Sequence, residues 1–221
     1  MMANLFSIFD PTTSSGLNQI WFSSFIFLVI FPSSLFLFKT PLMKVFIFLN
    51  SFLSKELFPI LHTSLFLSPL FLSLFLSISM INFMGLLPYL FTSSSHMSIT
   101  LALALPLWLS FFIYGWMVNP KNMLAHLVPS GTPFVLMSFM VLIETISAII
   151  RPLTLAVRLM ANMTAGHLIM TLISSQIPLI NMMSLGLVMT QTVLYLLETA
   201  VAFIQAYVFT LLLTLYLMES K

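Results

Sequence analysis

Apolar runs long enough to cross a bilayer alternate with short polar turns along this chain, and that alternation sets its organisation. Residues 20–38 carry no charge and would form a helix of about 28 Å at 1.5 Å per residue, close to the ~30 Å of bilayer hydrocarbon. This predicts a first span. Residues 65–91 and 97–118 are two further apolar segments, and the polar turn Thr92–His96 between them predicts a helical hairpin. Between the first span and the hairpin, residues 41–57 place Lys44, Ser51 and Lys55 at spacings of seven and four, with mostly Phe, Leu and Val opposite. We expect this segment to lie on the membrane surface as an amphipathic helix, with Glu56 on its apolar side.

The last ninety residues follow another pattern. Residues 132–174 and 179–218 are apolar stretches of about 40 residues, roughly 60 Å if helical, twice what one perpendicular crossing needs. Each is a pair of spans or one strongly tilted helix. Splitting the first would put Arg151-Pro152 in a turn, and the second has no Pro or Gly near Gln191–Glu198 at which to break. The pattern favours two long, steeply tilted helices packed side by side, the first bent at Pro152. The expected fold is therefore an all-α membrane protein, one membrane domain over 1–221 with about five membrane-crossing helices and one surface amphipathic helix.

Lysine placement agrees with this count. With five crossings, Lys39, Lys44, Lys55, Lys121 and Lys221 fall on one side, while Asp10, the turn 92–96 and the turn 174–182 fall on the other. The positive-inside rule then places the C-terminus with the lysines. Splitting both long segments would restore the same parity, so charge leaves seven crossings open.

Composition excludes several function classes. With 60% hydrophobic residues, 5% charged residues and a mean hydropathy of +1.14, the chain lacks the polar surface of a soluble domain. The net charge of +2 comes without a basic cluster, which argues against a nucleic-acid partner. Absence of cysteine removes disulfides, thiolate metal sites and thiol catalysis. There is no P-loop, no H-E-x-x-H and no glycine fingerprint, and the four histidines, His62, His96, His126 and His167, stand on separate segments, so neither a metal nor a cofactor is expected. No charged n-region precedes Asp10 and no Arg-rich amphipathic stretch is present, so neither a secretory signal nor an import presequence is expected.

The chemistry concentrates in the two long segments. Within LAVRLMANMTAGH at residues 155–167 stands Arg158, with Arg151 one heptad earlier. A guanidinium does not shed its proton, and placing one mid-bilayer costs at least ~2.5–3.5 kcal/mol on insertion scales. Something must compensate it. At 100° per residue, Glu144, Arg151, Arg158 and Asn162 fall within about 80° of one another, a charged stripe on one helix side. His167 points the opposite way from Arg158. On the last segment Gln191, Glu198 and Gln205 repeat every seven residues as a second polar stripe. Two facing stripes could line hydrated passages; alternatively, the amides act as interhelical packing devices and Arg151 pairs with Glu144. Arg158 is the residue least explained by packing. Among the histidines, His96 is expected to be solvated in its turn, and His167, beside Gly166, is the proton-relay candidate. Serines in runs such as SLFLSPLFLSLFLSIS should bond back to their own helix carbonyls.

Four motifs in order resemble a known family: NFMGLLPYLFTSSSH at 82–96, HLVPSGTP at 126–133, LAVRLMANMTAGH at 155–167 and LETAVAFIQAYVFTLL at 197–212. The chain strongly resembles subunit a (subunit 6) of the mitochondrial ATP synthase, from about Asn82 onward and more loosely before it. Its Met-, Phe- and Ser-rich composition looks like an organelle-encoded invertebrate product. The resemblance implies a multi-pass protein of the mitochondrial inner membrane with its C-terminus and lysine-bearing loops on the matrix side. It also implies a c-ring, peripheral-stalk subunits and other small membrane subunits as partners, and proton translocation as the function. By the same resemblance Arg158 matches the arginine that faces the c-ring carboxylate, Asn162 its neighbour one turn on, and Gln205 the polar residue opposite. His167 and Glu198 match a coupled pair on the outer proton route, and Glu144 the acid of the matrix-side exit. Arg151 departs from relatives with a neutral residue there. Two rivals remain at this stage: a secondary transporter with a midplane polar site, which should show inverted repeats and broken helices, and a purely structural membrane subunit.

Overall fold

A computed structural model describes residues 9–11, 21, 41–57, 67–87, 90–128, 133, 136–176 and 182–219, and every regular element among them is helical. In chain order these are α1 (Pro41–Leu57), α2 (Ser68–Leu86), a 3-10 turn (Ser93–Ser95), α3 (Met97–Val118), α4 (Pro120–His126), α5 (Met137–Ser175) and α6 (Met182–Glu219). Apart from Trp21, the expected span at 20–38 lies outside the described residues.

Local sequence explains the boundaries. A proline opens both α2 and α4, where its missing N–H would be unsatisfied anyway. Asn119, just before Pro120, takes φ −133° and ψ 64°, and this interrupts the helical run between α3 and α4. Hydropathy did not anticipate the seven-residue α4. In α2 the hydroxyls of Ser73, Ser77 and Ser79 donate to the carbonyls of Leu70, Leu74 and Leu76 at 2.8–3.0 Å, so these serines carry no unmet polarity into apolar surroundings.

Four of these helices are long and apolar enough to cross a membrane: Ser68–Leu86, Met97–Val118, Met137–Ser175 and Leu185–Glu219. Pro152 sits inside α5 without ending it, and α5 runs unbroken for 39 residues and α6 for 38. Each long segment is thus a single helix rather than a pair of spans. Both exceed the ~20 residues of a perpendicular crossing, so they must tilt or project beyond the hydrocarbon.

Packing puts α2 against α6, α3 against α5, and α5 against α6, with α1 resting on α2. The core joins Phe71, Phe75 and Ile78 of α2 with Phe209, Leu213 and Leu217 of α6, and Leu155 and Leu159 of α5 with Phe111 of α3. Ala104, Ala156 and Ala206 are also buried there, and small residues let helix backbones approach closely where lipid offers no hydrophobic drive to associate. On α6 the buried positions Ala202, Ala206, Phe209, Leu213 and Leu217 follow spacings of three and four, one stripe of the helix surface. Large apolar side chains elsewhere, such as Met117, Ile149 and Leu196, point outward, as lipid contact allows.

The expectation of a solvated His96 holds only in part at the turn between α2 and α3. Thr92, Ser93, Ser94 and Ser95 are buried, because the 3-10 turn packs against α5 instead of projecting into water. The Thr92 hydroxyl donates to Ser95 Oγ at 3.1 Å, and Ser95 Oγ donates to the Thr92 carbonyl at 2.6 Å. His96 is not simply solvated. Its ring lies 5.3 Å from that of Trp21 and 5.2 Å from that of Phe91, and its Nε2 is buried without a hydrogen-bond partner.

Candidate functional site

The stripe on α5 divides into two unlike halves. Arg158, Ala161, Asn162, Ala165 and Ile169 are exposed together, while Leu155, Ala156, Leu159 and Met163 are buried on the adjoining side. Arg158 therefore stands on an outward surface that, apart from Asn162, is apolar and flanked by the small residues Ala161 and Ala165. Among the described residues no carboxylate of this chain pairs with it.

Arg151 is placed differently. Its guanidinium pairs with Glu144 at 3.4 Å and with Glu219, and it lies 5.4 Å from the centre of the Tyr216 ring. The expected Glu144 pairing is present, and two partners that sequence reasoning missed, Glu219 and Tyr216, come from the far end of α6. A separation of 68 residues left no local signal for the Glu219 contact. These groups line a cavity of about 220 Å³ together with Trp108 and His126. Glu144 is thus brought to Arg151 and away from Arg158, although all three share one helical face.

Besides the Arg151–Glu219 pair, one further polar contact joins α5 and α6 among the described residues. The Asn162 amide donates to Gln205 Oε1 at 3.0 Å, with Gln205 buried and Asn162 at the exposed edge. Gln191, two heptads before Gln205, lies elsewhere, lining a groove of about 420 Å³ with Thr192, Tyr195 and Met170.

Glu198 lies against Gly166. A Cβ at position 166 would come within 2.8 Å of the Glu198 carboxyl carbon and 3.3 Å of its Cγ, so the absence of a side chain there makes space for the acid. His167 is the next residue along. Glu198 and His167 are half-buried on facing helices, and Glu198 Oε2 and His167 Nε2 are each buried without a hydrogen-bond partner among the described residues. The pair expected from sequence is brought to the same region but not into direct contact. Among the described residues no group of three or more His, Cys, Asp or Glu could hold a metal ion.

Taken together, long apolar helices, a cation on an outward helix face and half-buried acid and imidazole groups fit a polytopic membrane protein. The family model for the ATP synthase A chain matches residues 20–218. ATP synthase subunit a of Anopheles quadrimaculatus is 51% identical over 226 residues, covering 99% of this chain and 99% of the relative. The subunit a proteins of Locusta migratoria and Drosophila mauritiana are 48% and 50% identical, again over 99% of both chains. The chain belongs to the ATP synthase subunit a family, and as such is a membrane-sector subunit of the rotary ATP synthase. That membership sets aside the solitary secondary transporter.

Proposed function

We propose that this chain is the stationary half of a proton path, forming two offset half-channels against a ring of c subunits, with Arg158 as the charge that prevents a direct leak. The observation carrying this reading is that Arg158 is exposed on a largely apolar helix face with no carboxylate among the described residues to neutralise it. A permanent cation so placed needs an anion from outside the chain, and a carboxylate carried by a rotating neighbour supplies one.

The mechanism follows from electrostatics. A proton enters from the outer side past His167 and Glu198 and neutralises a ring carboxylate, which can then turn into lipid, where its charged form would be prohibitively costly. Nearly a full turn later the carboxylate meets the second passage, leading past Glu144 to the lysine-bearing side. Arg158 favours the deprotonated carboxylate beside it and repels a proton or hydronium that would cross without the ring. Asn162 and Gln205, hydrogen-bonded to each other, hold α5 and α6 in register one turn from Arg158. A membrane potential adds about 2.3 kcal/mol per charge per 100 mV to this process. The setting is the mitochondrial inner membrane, with the C-terminus and the lysine-bearing loops on the matrix side and with peripheral-stalk and small membrane subunits as further neighbours. Support comes from the insect relatives and from the lysine distribution.

The test is Arg158→Ala in the intact complex reconstituted into vesicles. ATP-driven proton pumping and proton-driven synthesis are both lost, while ATP hydrolysis by the soluble head persists. Retained coupled transport refutes the reading.

A further inference from the structure

The cavity beside Arg151 brings charged groups of both signs against aromatic rings. About 220 Å³ in volume, it is bounded by Glu144 and Arg151 of α5, Tyr216 and Glu219 of α6, and Trp108 and Phe112 of α3. Two carboxylates there face one guanidinium, so the cluster carries one negative charge in excess. Arg151 is held by both carboxylates and lies over the Tyr216 ring, so an anion entering the cavity would have to displace an acid to reach it. His126, the other basic group on the wall, is exposed on α4, where solvent screens it.

Aromatic faces continue the wall outward. Trp108 and Phe112 stack with ring centres 4.9 Å apart, and Trp116 stands 6.2 Å beyond Phe112. Three rings at intervals of four residues thus run along α3 from the cavity to the exposed Trp116, close to the end of the helix at Val118.

The cavity is smaller than the ~300–1,000 Å³ of pockets that enclose a whole drug-sized ligand, so it suits a head group whose stem lies outside. Carboxylates beside π faces select a cation, and the rings favour a weakly hydrated organic cation over a hydrated inorganic ion. A phospholipid head group matches poorly. Its phosphate, close to its ammonium, would meet the same carboxylates.

We propose that this cavity binds an amphipathic quaternary ammonium, its head among Glu144, Glu219, Trp108 and Phe112 and its apolar stem along the ladder past Trp116. The occupant stands beside Glu144. Its effect on transport rests on the half-channel reading above: a bound ammonium obstructs proton release past Glu144, whereas binding itself does not depend on that reading.

The test uses the intact complex in phosphatidylcholine vesicles with the soluble head outward, so that lipid choline competes in large excess. A diazirine-bearing benzyltrimethylammonium, added from the head side and photolysed, should leave adducts on peptides carrying Trp108, Phe112 or Tyr216, mapped by mass spectrometry. Excess benzyltrimethylammonium should abolish them, and its uncharged carbon analogue neopentylbenzene should not. Glu219→Gln and Trp108→Leu should each lower the adducts at least about fivefold per assembled subunit. Adducts that ignore both substitutions, or that neopentylbenzene competes away, overturn the site. Should one variant fail to assemble, the other decides together with the competition. Near saturation with benzyltrimethylammonium, wild-type pumping should slow about threefold and that of Glu219→Gln should hold at its own starting rate. Specific adducts with unchanged wild-type pumping keep the site and refute Glu144 as an exit group. Absence of specific adducts refutes the site and leaves the half-channel reading intact.

Discussion

Arg151 and Arg158 stand one heptad apart on the same face of α5, yet their surroundings differ. Arg151 is enclosed by Glu144, Glu219 and the ring of Tyr216, a cation whose charge is answered within its own chain. Arg158 faces outward without such an answer among the described residues. The difference teaches that a charged residue in a membrane helix is explained by its partners rather than by its presence. An internally paired arginine can be structural, whereas one left open on an apolar face implies a partner that arrives from elsewhere.

The sharpest way to break this comparison is to truncate each arginine separately. Arg158→Ala should leave no measurable ATP-driven pumping, whereas Arg151→Ala should keep at least roughly a third of wild-type pumping per assembled complex, since the Arg151 charge is answered within its own chain. Equal losses in vesicle acidification assays would erase the distinction.

Next in size are the imidazole of His167 on α5 and the acid of Glu198 on α6. Glu198→Gln and His167→Ala should each lower proton flux about tenfold with the subunit still incorporated, a typical scale for removing a proton-transfer group. Unchanged flux in both, measured against abundance on native gels, removes them from the route. Gly166→Ala probes the same place sterically. Its new Cβ would sit 2.8 Å from the Glu198 carboxyl carbon, so the acid must swing away. Flux should fall several-fold, about as far as in Glu198→Gln, while thermal stability changes little because the displaced group is the end of a flexible side chain. A Gly166→Ala complex with normal flux would mean that the position of Glu198 is immaterial.

The smallest effect belongs to the Arg151 cluster. Glu219→Gln leaves Glu144 as a partner, and both carboxylates are partly exposed, at 58% and 43% of their side-chain surface. Its cost in stability should be about 1 kcal/mol or less, a shift of a few degrees at most in the melting of the solubilised complex. A large loss would show that the cluster anchors the ends of α5 and α6 together.

Much of the fold was legible residue by residue. Hydropathy marked the helix at 97–118 and the two long final segments, and the observed helices Met97–Val118, Met137–Ser175 and Met182–Glu219 fall within a few residues of those readings. The helix α1, Pro41–Leu57, occupies the stretch read as amphipathic, with Lys44 and Lys55 exposed and Leu53 buried on the opposite side. The seven-residue spacing of Arg151 and Arg158, and that of Glu198 and Gln205, was equally visible. What failed was the inference from polarity to exposure. His96 was read as solvated because its turn is polar, but α5 covers Thr92–Ser95, and nothing in those four residues encodes a helix seventy positions away. The same reason hid Glu219 and Tyr216 as partners of Arg151, and the contact of Glu198 with Gly166.

In a bilayer each helix must satisfy its own backbone hydrogen bonds, so the apolar helices among the described residues and the faces of α5 and α6 that carry charge are set locally by this chain's amino acids. Which cation is neutralised, which acid rests on a glycine and which polar turn is sealed depend on how helices far apart in sequence rotate and slide against one another. Only the packed tertiary structure settles those, because side-chain pairing is a short-range interaction between long-range neighbours.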